Sequence, residues 1–339
     1  MNVKKWFKFQ FSLRLITLQP APTNPTESIK TLLVVCFDAI GDFILSLPAI
    51  EALRRRYPGV TIELLCSPRN QALARAIEGV AACHAITLND RLLDRDGWRQ
   101  LRALRERNFD LVVNLFDEPD ELAMAKMLWV AQGRLLSLPL RPKSVTQQKL
   151  LPLFGQKARE VVAVPASHFV HRMLAIVEGV VDAPLSLPTP CNQDYDTARF
   201  GDYVVVNLAG SQVGNTLPAE LQGSILARLP VLGGLSYLFF SQESVGIERP
   251  DLVCIYPDSI LDAATLIRDA RAVLSTDTSI IHISSSFGVP TLVLMNNECW
   301  RDAFIPLAGR NIILRSATDN LAALSPAEIS RQVDALMAL

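Results

Sequence analysis

The stretch from Thr31 to Cys66 restricts the fold more than any other part of the chain. Thr31-Leu32-Leu33-Val34-Val35-Cys36-Phe37 is an unbroken apolar, β-prone run, as expected of a strand buried on both faces of a sheet. Asp38-Ala39-Ile40-Gly41-Asp42 then predicts a turn, with Gly41 where a bulky residue would clash. Residues 43–57 carry Ile44, Leu47, Ile50 and Leu53 at helical spacing, and Arg54-Arg55-Arg56 with Pro58-Gly59 closes that helix. Residues 61–66 form the next strand. Strand, helix and strand within about forty residues specify a parallel βαβ unit with a right-handed connection.

The pattern continues with a helix over 70–77, a strand over 85–88, a helix over 98–107 and a strand over 110–116, which is half of a doubly wound α/β fold. A helix over 168–180 leads to the Pro-rich stretch 183–190, the expected hinge. The second half repeats the logic. It has a strand over 203–208, the small-residue loop AGSQVGN, and a helix opening near Pro218-Ala219-Glu220. Strands over 236–240 and 254–256, a helix over 260–269 and a strand at Ala272-Val273-Leu274 come next. A strand over 291–295 and a last helix over 326–339 close the chain. At 339 residues, about two domains are expected. The reading is an N-terminal extension and linker (1–28), a Rossmann-like domain (29–182), a linker (183–202) and a second Rossmann-like domain (203–339), facing a cleft.

The stretch LSTDTSIIHISSSFGVP, residues 274–290, reads as the end of a buried strand, a tight turn and a helix start. Asp277-Thr278-Ser279 supplies the capping chemistry before Ile280, Ile281 and Ile283. Unpaired N–H groups and the positive end of a helix dipole at a strand's carboxyl end suit an anion, commonly a nucleotide phosphate. A capped helix with no ligand is the plain alternative.

Charge and composition narrow the classes. The net charge of −1, with half the residues hydrophobic, fits a soluble or peripherally attached enzyme and gives no sign of nucleic acid as a partner. Six scattered cysteines without a C-x-x-C pair read as reduced cytosolic thiols rather than a disulfide framework or a zinc site. Asp38 and Asp42 interrupt the longest apolar run, so no transmembrane span is expected. Residues 1–18 carry Lys4, Lys5, Lys8 and Arg14 with Trp6, Phe7, Phe9 and Phe11 and no acid. Such a segment suits the anionic inner face of the cytoplasmic membrane, although the alternation of Phe7, Phe9, Phe11, Leu13 and Leu15 also suits an added edge strand. Charges interrupting its apolar part argue against a secretory signal. Residues 122–159 contain no acid but include Lys126, Arg134, Arg141, Lys143, Lys149, Lys157 and Arg159. That run is either a solvated face or a surface for an acidic partner, with Arg141, Lys143 and Lys149 as candidates together with Gly41.

Two motifs taken together resemble the family 9 glycosyltransferases, the heptosyltransferases of lipopolysaccharide core assembly. The first is VVCFDAIGDFILSLPAIEALRRRYPG, a strand, a turn ending in Gly-Asp and an apolar helix with "ALRRRYP". The second is Asp277-Thr278-Ser279-Ile280-Ile281-His282 followed by SSSFGVP, where the family shows Asp-Thr-Gly-x-x-His and Gly-x-Pro. The resemblance implies a GT-B architecture of two Rossmann-like domains. It also implies an ADP-heptose donor bound mainly by the C-terminal domain, inversion at the anomeric carbon without a metal or other cofactor, and Asp42 as general base. On the residues alone, Asp42 follows a strand's carboxyl end at a helix start, where a carboxylate can accept a hydroxyl proton; the plain alternative is an acid complementing the helix dipole. Asp38 is its nearest rival.

Donor binding falls to Ser211, Asn215, Asp277, Thr278, Ser279 and His282. Against the family pattern, Asn215-Thr216-Leu217-Pro218 stands where Lys-Arg-Trp-Pro is usual, Ser279 replaces a glycine, and Asn114 replaces an Asp. The missing lysine makes Arg301 the candidate substitute cation. His168 and His171 are expected beside the interdomain helix, and His84 carries no assignment. Two other functions remain: a weakened homologue that binds a nucleotide sugar or glycan as a partner subunit, and another nucleotide-sugar enzyme such as an epimerase.

Overall fold

The computed structural model describes residues 3–23, 28–88, 92, 94–161, 168–177, 184–210, 213–242 and 246–338. The chain divides into two compact units, Met1–Ala183 and Pro184–Leu339.

The first unit runs α1 (Val3–Thr17), β1 (Thr31–Cys36), α2 (Ile40–Arg56), β2 (Thr61–Cys66), α3 (Gln71–Ala76), β3 (Val80–Ala85), α4 (Arg95–Glu106), β4 (Leu111–Asn114), α5 (Glu121–Ala131), β5 (Leu135–Ser137), α6 (Val145–Gly155), β6 (Arg159–Glu160) and α7 (Phe169–Leu174). Its strands form one parallel sheet in the order β3-β2-β1-β4-β5-β6. β1 sits between β2 and β4, with Val34 in register with Leu64 on one side and Val113 on the other. That position explains its continuous apolar run. Leu101 and Leu104 of α4, Leu128 of α5, Phe154 of α6 and Ile16 of α1 share one core with Leu33 and Val35, while α2 packs with α7.

The second unit runs β7 (Asp202–Asn207), α8 (Ala219–Arg228), β8 (Leu235–Phe240), β9 (Leu252–Ile255), α9 (Ile260–Arg268), β10 (Ala272–Thr276), α10 (Ser279–Phe287), β11 (Thr291–Met295), β12 (Asn311–Arg315) and α11 (Pro326–Met337). Its parallel sheet has the order β12-β11-β10-β7-β8-β9. Counted from each unit's own first strand, both sheets follow 3-2-1-4-5-6, the doubly wound Rossmann arrangement.

Four expectations change. α2 begins at Ile40, so Gly41 and Asp42 stand in its first turn rather than in a preceding loop. The third strand lies at Val80–Ala85, upstream of 85–88, because Gly79 (φ 81°) turns the chain directly into it. β5, β6 and the edge strand β12 are additional strands, and α5 and α6 additional helices. Residues 3–17 form a helix rather than a strand. The described cysteines Cys36, Cys66, Cys83, Cys191 and Cys254 are free thiols. No described helix is long and apolar enough to cross a membrane.

Candidate functional site

In a doubly wound sheet the chemistry gathers where the strand order reverses, outside the carboxyl ends of the two central strands. In the first unit that point lies between β1 and β4. A cavity of about 390 Å³ opens there, lined among others by Asp38, Ser67, Arg69, Phe116, Glu118 and Lys143. Asp38 Oδ2 accepts the backbone N–H of Asp117 (3.2 Å), and the Asn70 amide donates to the Asp38 carbonyl (2.9 Å). Burial, then the charge of Asp42, hold the Asp38 carboxyl well above the usual carboxylate range, and Asp117 and Glu118 add to the repulsion. Asp42 is half-buried in the first turn of α2, where its carbonyl accepts from Ser46 Oγ (2.8 Å). It is not among the cavity's lining residues; Asp38 is.

The basic run 122–159 is not one surface. Lys126 lies buried in α5, its ammonium donating to the Leu88 carbonyl (2.8 Å) and sitting 5.3 Å from the centre of the Trp98 ring. Burial lowers its pKa. Lys157 donates to the Gln19 carbonyl (2.7 Å), and Lys149 is exposed on α6. Arg141 and Lys143 do reach the carboxyl edge, but with acids from another segment beside them. Arg141 lies 3.6 Å from Asp117, and Lys143 pairs with Glu118. Asp117, itself buried, also pairs with Arg172, which donates to the Pro139 carbonyl (2.9 Å). The two guanidinium groups oppose the rise that burial imposes on Asp117. Asn114, in place of the family's Asp, donates to Ser137 Oγ and the Phe116 carbonyl, each at 3.0 Å, and so shapes the turn beneath the cavity. His84 belongs elsewhere, 2.7 Å from buried Glu63, which also pairs with Arg107. His168 caps α7, its Nδ1 accepting from the Val170 N–H (3.2 Å).

In the second unit the reversal lies between β7 and β10, and its carboxyl edge is built from amides and hydroxyls. Asn207 ends β7 and donates to Ser275 Oγ (3.1 Å) and Thr278 Oγ1 (3.2 Å). Thr278 caps α10 by accepting from the Ile280 N–H (3.3 Å). Asn215 Nδ2 donates to the Asp277 carbonyl (2.6 Å), joining the loop after β7 to the start of α10. Gly210 lets the two loops meet: a Cβ there would lie 2.9 Å from Thr278 Cγ2 and 3.0 Å from Asn215 Cβ. Ser279 occupies the first position of α10, and His282 is buried three residues on. Ser211 lies outside the described residues.

Arg301 corrects one expectation. The residue is 4% exposed, and its guanidinium pairs with Asp277, donates to Glu298 (3.0 Å) and lies 4.5 Å from the Trp300 ring centre. Burial raises the Asp277 carboxyl and Arg301 opposes that rise. With two carboxylates on it, Arg301 holds the loop before α10 and is not a spare cation in place of the missing lysine. Asn207 and Gly210 escape the sequence reading. An Asn ending an apolar strand just before a small-residue loop was a readable signal, whereas the Arg301–Asp277 pair joins separate loops and left none. Among the described residues, no group of three or more His, Cys, Asp or Glu is placed to hold a metal ion.

No family model and no curated protein sequence matches the chain. Solved structures do. A glycosyl transferase family 9 protein from Veillonella parvula superposes with a TM-score of 0.72 at 16% identity, over 93% of this chain and 99% of its own. Escherichia coli heptosyltransferase WaaC with ADP gives 0.68 at 14% identity, over 90% and 99%. Escherichia coli ADP-heptose lps heptosyltransferase II gives 0.68 at 14% identity, over 91% and 99%. The chain therefore has the two-domain GT-B fold seen in family 9 glycosyltransferases and heptosyltransferases.

Proposed function

We propose that the chain is an inverting, metal-independent glycosyltransferase that moves heptose or a related sugar from an ADP-sugar, or another nucleotide sugar, to a lipopolysaccharide core acceptor. The observation that carries this reading is the chemical division between two topologically equivalent carboxyl edges. One gathers the carboxylates of Asp38, Asp42, Asp117 and Glu118 and can accept a hydroxyl proton. The other is a capped helix start surrounded by amides and hydroxyls, suited to a diphosphate. The fold shared with a heptosyltransferase solved with ADP supports a nucleotide-sugar donor.

In the reaction proposed, an acceptor hydroxyl held at the first edge forms a bond to the anomeric carbon as the bond to the diphosphate oxygen breaks. The hydroxyl proton passes to a carboxylate and the electron pair leaves with the diphosphate. Burial and the charge of Asp42 both disfavour a charge on Asp38. Asp42, half-buried in the first turn of α2, serves as base. Arg141 and Lys143 orient phosphate or carboxylate groups of the acceptor. The departing diphosphate is met by the N–H groups of α10 and by Thr278, Ser279, Ser211 and Asn215, without a lysine.

A second reading, a partner subunit that binds nucleotide sugar without transferring it, draws on the missing lysine, since Arg301 is occupied by Asp277 and Glu298. The deciding experiment assays purified protein with a panel of nucleotide sugars and truncated core acceptors. Product formation with inverted anomeric configuration is expected. ADP binding with no transfer to any acceptor would establish the second reading instead.

A further inference from the structure

α1 is attached to the first unit by one face and leaves an unusual opposite face in solvent. Ser12 and Ile16 are buried, Phe9, Leu13 and Leu15 pack on the core shared with α5 and α6, and Lys8 pairs with Asp120. Just beyond the helix, the Lys157 bond to the Gln19 carbonyl fixes its exit. Val3, Phe7, Phe11, Arg14 and Leu18 follow one another at steps of three and four residues, so they share a face, with Phe11 at its border edge-on to Trp98 of α4 at 5.8 Å. Val3 is 71% exposed, Phe7 55%, Phe11 38% and Leu18 71%; Trp6 beside them is 46% exposed. Large apolar side chains grouped this way mark an interaction surface. Lys4 and Arg14 are exposed among them, and no acid precedes Glu27 in the sequence.

We propose that this face of α1 docks the protein onto an anionic lipid bilayer. Trp6 and Phe7 would enter the boundary between headgroups and acyl chains, with Lys4 and Arg14 against the phosphates. Charge complementarity selects this occupant. Two copies of the face would bring like charges together, whereas an anionic headgroup layer meets Lys4 and Arg14 and accepts the aromatic rings between them. The helix spans about 22 Å at 1.5 Å per residue, too short to cross a bilayer but suited to lying along it. The neighbouring α6, which α1 contacts, continues the same chemistry with exposed Val145 and Lys149 and no acid. The inference stands apart from the transfer reaction, since none of these residues belongs to either carboxyl edge.

The test is sedimentation of the full chain with phosphatidylcholine vesicles, with and without phosphatidylglycerol. Binding to the anionic vesicles and its loss in high salt are expected. Trp6→Ser with Phe7→Ser should reduce anionic-vesicle binding about tenfold or more, and Lys4→Glu with Arg14→Glu should remove the preference for phosphatidylglycerol. Both pairs are exposed, so unchanged thermal unfolding confirms that they fold. Vesicle binding equal to wild type in both variants overturns the proposal, as does the absence of binding to either vesicle. Self-association abolished by Trp6→Ser with Phe7→Ser would assign the face to a second copy and also overturn it. Transfer to a soluble truncated acceptor is expected to be unaffected by either pair, so failure of the transfer reading is scored separately.

Discussion

The two units share a strand order and differ at their carboxyl edges. In the first, the reversal between β1 and β4 carries Asp38, Asp42, Asp117 and Glu118, with Arg141, Lys143 and Arg172 brought in against them. In the second, the reversal between β7 and β10 carries Asn207, Ser275 and Thr278, and its one buried acid is neutralised by a buried arginine. The shared topology fixes where a ligand can approach, and the side chains at those strand ends decide what kind. An edge where carboxylates gather suits proton transfer. A helix start with hydroxyl caps offers positive potential without taking up protons.

The largest expected effect breaks the first half of this comparison. Asp42→Asn keeps the size of the side chain and removes its ability to accept a proton, so kcat should fall by about 10²-fold or more while ADP affinity stays at wild type. Kinetics and calorimetry on the same preparation check both parts. Activity comparable to wild type would take proton removal away from Asp42.

The second half is tested at Gly210. Gly210→Ala places a methyl 2.9 Å from Thr278 Cγ2, so the loop after β7 and the start of α10 must move apart. ADP affinity should drop about tenfold, with a stability loss of about 1–3 kcal/mol from overpacking. Calorimetric titration with ADP reads the first and denaturant unfolding the second. Unchanged ADP affinity would move the diphosphate away from this edge.

How far these edges could be read from the residues depended on the range of the forces involved. β1, α2 and β2 were legible because a central parallel strand is apolar throughout and its helix is amphipathic. β3 and β12 were not, since edge strands built from residues such as Ala81, Ala82 and Asn311 need no such run. Residues 3–17 fitted two periods at once. Alternation suggested a strand, but Phe9, Ser12, Leu13 and Ile16 also follow helical spacing, and packing on α5 and α6 selects the helix. Asp42 and the Thr278 cap were visible as local patterns. Lys126 was misread as surface charge although its neighbours in ELAMAKMLWVA are apolar on every side, the pattern of a buried helix. The acids that meet Arg141 and Lys143 come from the segment after β4, outside the run that had been counted as uncompensated.

A smaller effect is expected of those two cations. Arg141→Gln with Lys143→Gln should raise the acceptor KM about fivefold and flatten its dependence on salt, leaving ADP affinity unchanged. Because each residue also faces an acid, part of the charge is already balanced, which is why the effect stays below that of Asp42→Asn. Acceptor kinetics that match wild type at low salt would make Arg141 and Lys143 partners of Asp117 and Glu118 and nothing more.

The finest distinction lies between Asp38 and Asp42. The folded-state pKa of Asp38 is raised by burial and then by Asp42, so the folded protein binds a proton there that the unfolded chain has released. Its contribution to stability is therefore greatest below the unfolded carboxylate pKa, near ~4, and is lost as pH rises from there toward the folded value. Asp38→Asn mimics the protonated group and can still accept the Asp117 N–H. It should melt at a higher temperature than wild type at neutral pH, with the difference vanishing below about pH 4. Its kcat should stay within about threefold of wild type, because in the proposed reaction the hydroxyl proton passes to Asp42 and not to Asp38. Melting curves from pH 3 to pH 8, with kcat at neutral pH, check both. If Asp38→Asn instead lowers kcat as far as Asp42→Asn does, the carboxylate that lines the cavity is the base, and the two acids exchange roles.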